Sequence, residues 1–169
     1  MRRVLTWLIA IAVVAAAVWA TQIRAVDTRV MVYFTGKVDG GETLVPVERV
    51  VHGRGADVLL RGALEALLSG PTSDERARGL FTEIPQGTRL RGLTIKEGVA
   101  FVDLTDAIAS GGGSASMQAR LWQTVYTATQ YPAARQVRLL IEGAERQALG
   151  GEGVLIDRPI GRPAAFPRF

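Results

Sequence analysis

His52, Asp103 and Asp106 are the side chains of this 169-residue sequence best suited by type to acid–base chemistry. A Ser-His-Asp relay would have to be built on His52, the one histidine, which sits beside Gly53. No Gly-x-Ser-x-Gly elbow presents a serine: Ser69 precedes Gly70-Pro71, and Ser110 precedes three glycines. His52 therefore reads as a strand-end or surface residue. Asp103 and Asp106 bracket Leu104-Thr105, with Glu97 close in sequence. Two carboxyls facing a sugar-sized cleft would serve glycoside hydrolysis. The same spacing serves strand-end and helix-cap bonding, where a side-chain oxygen accepts from an orphan N–H, and that is the preferred reading. Gly111-Gly112-Gly113 offers N–H groups ahead of a helical segment but lacks the Gly-Lys-Ser/Thr ending of a phosphate loop, so it reads as a mobile loop. With one histidine and no cysteine, thiolate catalysis, disulfides and cysteine-ligated metals are closed, and a transition-metal site is not expected. No catalytic, cofactor-binding or metal-binding residue is assigned, and no enzyme activity is expected.

The elements that hold these residues follow from periodicity. Arg29 to Phe34 and Thr43 to Val51 read as strands of one hairpin, joined through Gly36, Asp39, Gly40 and Gly41. Pro46 cannot donate to a ladder, which puts the second strand at an edge or a bulge. Ala56 to Leu68 carries an apolar stripe of Leu59, Leu60, Ala63, Leu64 and Leu67 and is a helix, ended by Gly70-Pro71. Thr72 and Glu75 have the spacing of a capping box for a short turn through Arg78, stopped at Gly79. Arg89 to Lys96 and Val99 to Leu104 flank the tight turn Glu97-Gly98. A long helix, capped by Ser114 or Ser116, runs to Tyr131 with Met117, Leu121, Val125 and Ala128 along one side. Strands at Gln136 to Ile141 and Val154 to Ile156 close the pattern. The fold class is α+β: a mixed or mainly antiparallel sheet with two main helices on one face.

The first twenty residues set the compartment. Arg2 and Arg3 precede an uncharged apolar run from Val4 to Ala20, with Trp7 and Trp19 near its ends. Extended to Ile23, that run spans roughly 30 Å as a helix, enough for a hydrocarbon core. The arginines stay on the cytoplasmic side and the rest is exported. A retained anchor is preferred over a cleaved signal peptide because the run exceeds the usual apolar core of a signal. The alternative is a secreted or periplasmic product after cleavage. Domain bounds follow: residues 1–23 leader, 24–28 juxtamembrane linker, 29–157 folded domain, and 158–169 a tail bearing Arg158, Arg162 and Arg168. The formal charge is +4, two of it on the leader, and elsewhere acids and bases alternate, so no nucleic-acid footprint is expected. The tail is the basic exception, suited to acidic lipid or wall polymer.

Gln123, Thr124, Tyr126, Thr127, Thr129 and Gln130 give the long helix an uncharged polar set. Such residues belong at a helix–sheet or subunit contact, and a partner-facing helix is the second reading, since interface centres are depleted of charge.

Several segments together resemble the GerM-type sporulation and spore-germination domain. They are Ala63 to Pro71, Leu80 to Thr88, Gly98 to Leu104, Gln123 to Pro132 and Val137 to Gly143, opened by Val30 to Phe34 and Leu44 to Val47. The resemblance implies a compact domain similar to the ring-building modules of envelope-spanning sporulation machinery. Such domains are not known as enzymes. They occur on lipoproteins, on membrane-anchored proteins and beside cell-wall amidase domains, which implies work close to peptidoglycan. This chain differs in having one domain rather than a tandem pair, no lipobox cysteine and no attached amidase.

The leading expectation is a membrane-anchored, non-catalytic assembly or scaffold module of the cell envelope, whose partners are envelope proteins, further copies of itself, or peptidoglycan. The second is a glycan- or peptide-binding module assisting wall hydrolases, with Tyr33, Tyr126, Tyr131 and Trp122 as the aromatic candidates. The third is a small hydrolase on Asp103, Asp106 and His52. Gly70 and Pro85 read as fold punctuation, through glycine's freedom and proline's locked φ. Substituting either is expected to lower the melting temperature rather than any specific activity; unchanged melting in both variants would refute that reading.

Overall fold

The computed structural model describes residues 26–168 apart from Asp39, Glu152 and Phe166. The expected leader, the start of the linker and Asp39 of the first turn lie outside the described residues. Among the described residues, no helix is long and apolar enough to cross a membrane.

Two 12-residue strands, β1 (Asp27–Val38) and β2 (Gly41–His52), pair antiparallel with Val32 opposite Val47. Both outrun their expected limits, so the linker drawn over 24–28 is already part of the fold from Asp27. Helix α1 (Ala56–Leu68) buries the anticipated stripe of Leu59, Leu60, Ala63, Leu64 and Leu67. Each such leucine contributes about 1.5–3 kcal/mol by leaving water. At Gly62 a Cβ would lie 2.6 Å from a methyl of Val51, so α1 rests on β2 at a distance only glycine permits. Gly70 ends the helix at φ 77°, in the left-handed region.

The capping box forms as read. Thr72 accepts from the Glu75 N–H, and Glu75 accepts from the Thr72 N–H, opening α2 (Ser73–Ala77). β3 (Leu90–Lys96) and β4 (Val99–Leu104) make the second hairpin, with positive φ at both Glu97 and Gly98 as a primed two-residue turn requires.

A 3-10 turn (Asp106–Ala109) and α3 (Ser114–Ala128) then cross over to β5 (Gln136–Ile141), which runs parallel to β4 with Leu139 opposite Val102. Short strands β6 (Ala144–Glu145) and β9 (Ile160–Gly161) pair antiparallel with the two ends of β5. Among the described residues, β7 (Ala148–Leu149) pairs only with β8 (Val154–Leu155).

The expected α+β class with two main helices holds, but among the described residues the strands divide among three sheets rather than one. β4 buries Ala100, Val102 and Leu104 and leaves Val99, Phe101 and Asp103 half-exposed, so the helices cover one face of the larger sheet. α1 and α3 pack on each other and on β1, joining hairpin and sheet in one core with Phe34, Leu60, Leu64 and Leu139.

Three local expectations change. Neither Ser114 nor Ser116 caps α3: its N-cap is Gly113, and the Ser116 hydroxyl donates to Glu83 at 2.6 Å. The helix stops at Ala128 rather than Tyr131, because the Thr129 hydroxyl turns back to the Val125 carbonyl at 2.6 Å and Gln130 is drawn to β1. The glycine loop is held rather than loose. Buried Arg120 donates to the carbonyls of Ile108, Ser110 and Gly111 at 2.8–2.9 Å. Burial pushes that guanidinium below its usual value, and the Glu83 carboxylate acts in the opposite direction.

The hairpin is pinned to α2 by one ion pair. Arg49 donates two 2.7 Å bonds to the buried Glu75 carboxylate, and its guanidinium lies 5.6 Å from the Phe34 ring centre. The Arg49 hydrogen bonds, with help from Thr72, pull Glu75 from 4.5 to about 2 against the opposing effect of burial. A carboxyl depressed on folding stabilises the native state above its unfolded value and loses that contribution as pH falls through its folded value. Melting temperature is therefore expected to fall between pH 4.5 and pH 2, where up to about 3 kcal/mol is lost. Glu75→Gln should be less stable at neutral pH and flatter across that window. An equally steep acid limb in the variant would assign the loss elsewhere.

Candidate functional site

His52 lies apart from Asp103 and Asp106, which an Arg91–Glu142 pair links. His52 Nδ1 lies 2.9 Å from an Asp27 oxygen, both side chains exposed at the open end of the first hairpin. Asp103 is on the other sheet, where Oδ1 accepts from the Gly143 N–H at 2.8 Å and Oδ2 from Arg91 Nε at 3.2 Å. It caps the β5–β6 turn, not a helix: the 3-10 turn beside it has no side-chain cap. Arg91 also pairs with Glu142, whose other oxygen accepts from the Asp106 N–H at 3.1 Å. Glu97 sits exposed in its turn. Among the described residues, no group of three or more His, Asp or Glu side chains is placed to hold a metal ion.

The chemistry of the neutral helix residues is spent on one edge of β1. Met31, Tyr33 and Thr35 point their N–H and C=O groups away from β2. Gln130 answers Met31 like a short strand: its Oε1 accepts from the N–H at 2.8 Å and its Nε2 donates to the C=O at 3.0 Å. Thr127 accepts from the Tyr33 N–H at 3.2 Å, and Gln123 donates to the Tyr33 C=O at 3.2 Å. Phe81 exchanges two backbone bonds with Thr35, both 2.9 Å. Gln123, which has no exposed surface, also accepts from the Glu83 N–H and the Thr82 hydroxyl. The residues from Gln123 to Ala128 are all buried, so this face of α3 is a contact inside the fold. A neutral line at positions 123, 127 and 130 marks that role in the sequence. What it cannot reveal is which edge the line will meet.

The aromatic candidates separate in the same way. Tyr33 and Tyr126 are buried and tilted, with ring centres 5.3 Å apart, and Trp122 meets Tyr126 edge-on at 6.5 Å. Tyr131 packs half-buried on the main core. Part of the tail is bound across this region. Arg162 stacks 5.3 and 4.8 Å from the centres of Tyr33 and Tyr126, and donates to the Tyr126 carbonyl at 2.6 Å and the Thr129 hydroxyl at 2.9 Å. Farther on, Thr43 donates to the Pro167 carbonyl at 3.0 Å and bridges Arg168. Burial pushes the Tyr126 hydroxyl above its usual value, against the charge of Arg162. A surface groove of about 550 Å³ is lined by Gln118, Leu121, Trp122, Leu155, Arg158 and Pro159 among others.

The Germane family model, described as sporulation and spore germination, matches residues 31–147. The chain belongs to that family. Solved structures similar to the chain include the following three. The tandem GerMN domains of the Bacillus subtilis sporulation protein GerM match at TM-score 0.66 and 22% identity, over 83% of this chain and 47% of theirs. The first GerMN domain of the same protein matches at TM-score 0.62 and 22% identity, over 80% of this chain and 98% of that domain. A candidate lipoprotein of Clostridium perfringens matches at TM-score 0.58 and 26% identity, over 80% of this chain and 88% of that one. The chain thus spans about half of the tandem structure and nearly all of the single domain. No curated protein matches.

Gln123→Leu removes both ends of the amide that joins β1 to the Thr82–Glu83 backbone, leaving buried groups unpaired. A loss of about 2–4 kcal/mol is expected in denaturant unfolding. Gln118→Leu, on the exposed side of α3, should cost about 0.5 kcal/mol or less. Equal effects of the two substitutions would show that the edge contacts carry no stability.

Proposed function

We propose that this member of the sporulation and spore germination family is a non-catalytic assembly module of the cell envelope, held at the membrane by residues 1–23 with the folded domain outside. One observation carries the reading: the polar side chains of α3, with Asp103 and Arg120, are spent on the fold, and His52 lies apart from Asp103 and Asp106. Gln123, Thr127 and Gln130 complete an edge of β1, Asp103 caps a turn, and Arg120 grips a loop. What remains for function is surface and backbone edge. The family match, and the likeness to a candidate lipoprotein, support an envelope setting.

A second reading, a binding module for wall glycan or peptide, is favoured by the groove between α3 and the tail. There Trp122 and Arg158 stand together, and the guanidinium has no hydrogen-bond or ion-pair partner among the described residues. A half-buried ring beside a free cation suits a ligand with an apolar face and a carboxylate.

The test places alkaline phosphatase after Phe169 of the full chain and follows it through fractionation and crosslinking. Active phosphatase in carbonate-washed membranes, with crosslinks to itself or other envelope proteins, is the expected result. An inactive, cytosolic fusion would overturn the assignment. Sedimentation with purified peptidoglycan that is lost on Trp122→Ala or Arg158→Ala would move it to the second reading.

A further inference from the structure

β1 and β2 form one ribbon, yet their outer edges are treated in opposite ways. The outer edge of β1 is sealed at Met31, Tyr33 and Thr35 by Gln130, Thr127, Gln123 and Phe81. The alternation of an antiparallel pair then turns Val30, Val32 and Phe34 toward β2, against Arg49, Val47 and Val45. By the same alternation Glu48, Val50 and His52 direct their N–H and C=O groups outward. The Gly41 end of that edge is covered by the tail at Thr43. Pro46 brings no N–H to it. Between Glu48 and His52, among the described residues, one hydrogen bond reaches the outward backbone: the Arg49 guanidinium donates to the Glu48 carbonyl at 3.0 Å. A carbonyl oxygen has a second lone pair to offer.

We propose that residues 48–52 of β2 pair with the same residues of a second copy, antiparallel and centred on Val50. This rests on the assembly reading above and names its contact. The long helix and the glycine loop are poor alternatives, because the first is buried from Gln123 to Ala128 and the second is held by Arg120. The edge is self-complementary about Val50. With Val50 facing Val50 of the second copy, Glu48 faces His52 of that copy, and all three outward N–H and C=O groups gain partners. Slipping so that Glu48 faces Val50 sets Pro46 against His52 and loses a donor. Slipping so that Glu48 faces itself opposes like charges, which is destabilising. Val50 is 64% exposed and would cover its own counterpart. Among the described residues, the Glu48 and His52 side chains have only exposed partners, Arg29 at 3.6 Å and Asp27, so both can turn to a second copy. The contact closes on itself as a two-fold dimer, as an isologous edge must.

The chain has no cysteine, which makes the register directly testable. Directly opposed residues of a hydrogen-bonded antiparallel pair have Cα atoms about 5.5 Å apart, within disulfide reach. Full-length Val50→Cys in detergent, under mild oxidation, should give a disulfide-linked dimer, whereas Val58→Cys, exposed on α1, should not. Val50→Pro removes the central outward donor and should abolish the dimer seen by light scattering. Its melting temperature, read beside it, should stay within a few degrees of the parent. Oligomers in scattering without a Val50→Cys crosslink, or unchanged by Val50→Pro, would overturn the edge and leave the assembly reading standing. Equal crosslinking of both cysteine variants would mark random collision and overturn it too. A monomer at every concentration, with no crosslink, would end self-assembly altogether.

Discussion

A two-stranded ribbon has two edges of unpaired backbone, and a folded chain cannot bury either one without supplying partners. Here the edge of β1 that enters the core is completed by side chains of a helix. Gln130 presents an amide that both accepts and donates, as a peptide unit would, and Thr127, Gln123 and the backbone of Phe81 extend the ladder. The rest of the structure depends on that substitution. It lets Val30, Val32 and Phe34 sit deep against α1 while Tyr33 turns to α3, so both helices close on one strand. It also explains why Pro46 is tolerated. Its opposite residue, Tyr33, spends its backbone groups on α3, so the N–H that proline lacks was not needed by the ladder.

Charged residues follow the same economy. Arg120 holds three loop carbonyls, Arg49 and Glu75 tie the hairpin to α2, and Arg162 wedges the tail over Tyr33 and Tyr126. Each is a long side chain whose polar end organises backbone that would otherwise lack partners. Open features among the described residues include a groove beside Trp122 and the outer edge of β2. Both suit contact rather than reaction, in keeping with a family described by sporulation and spore germination.

Much of the fold was legible in the sequence, for reasons that differ by element. The α1 stripe, the Thr72–Glu75 box, the Gly70 stop and the Glu97-Gly98 turn each depend on residues within one or two turns of one another. The neutral line on α3 was legible as a contact, though not as an edge. Less could be read of the division into three sheets, because strands of similar composition do not announce their neighbours. The anchoring of the glycine loop was hidden for a related reason. Three consecutive glycines read as loose, and nothing near them announces that the guanidinium of Arg120, on the next helix, holds the Gly111 carbonyl and those of Ile108 and Ser110 before it. The tail was read by charge alone, and charge gives no warning that Arg162 will stack on buried tyrosines.

By itself the sequence determined the class, the helices, the tight turns and the positions able to bond without charge. Those are local matters of period, cap and φ, decided among near neighbours. The tertiary structure alone decided which groups meet: Met31 with Gln130 across 99 residues, Tyr33 with Thr127 across 94, Arg162 with Thr129 across 33. A buried backbone group must find a partner somewhere, and that requirement can be read from sequence. Where the partner lies is settled only when the whole chain packs, because every candidate competes for the same few edges.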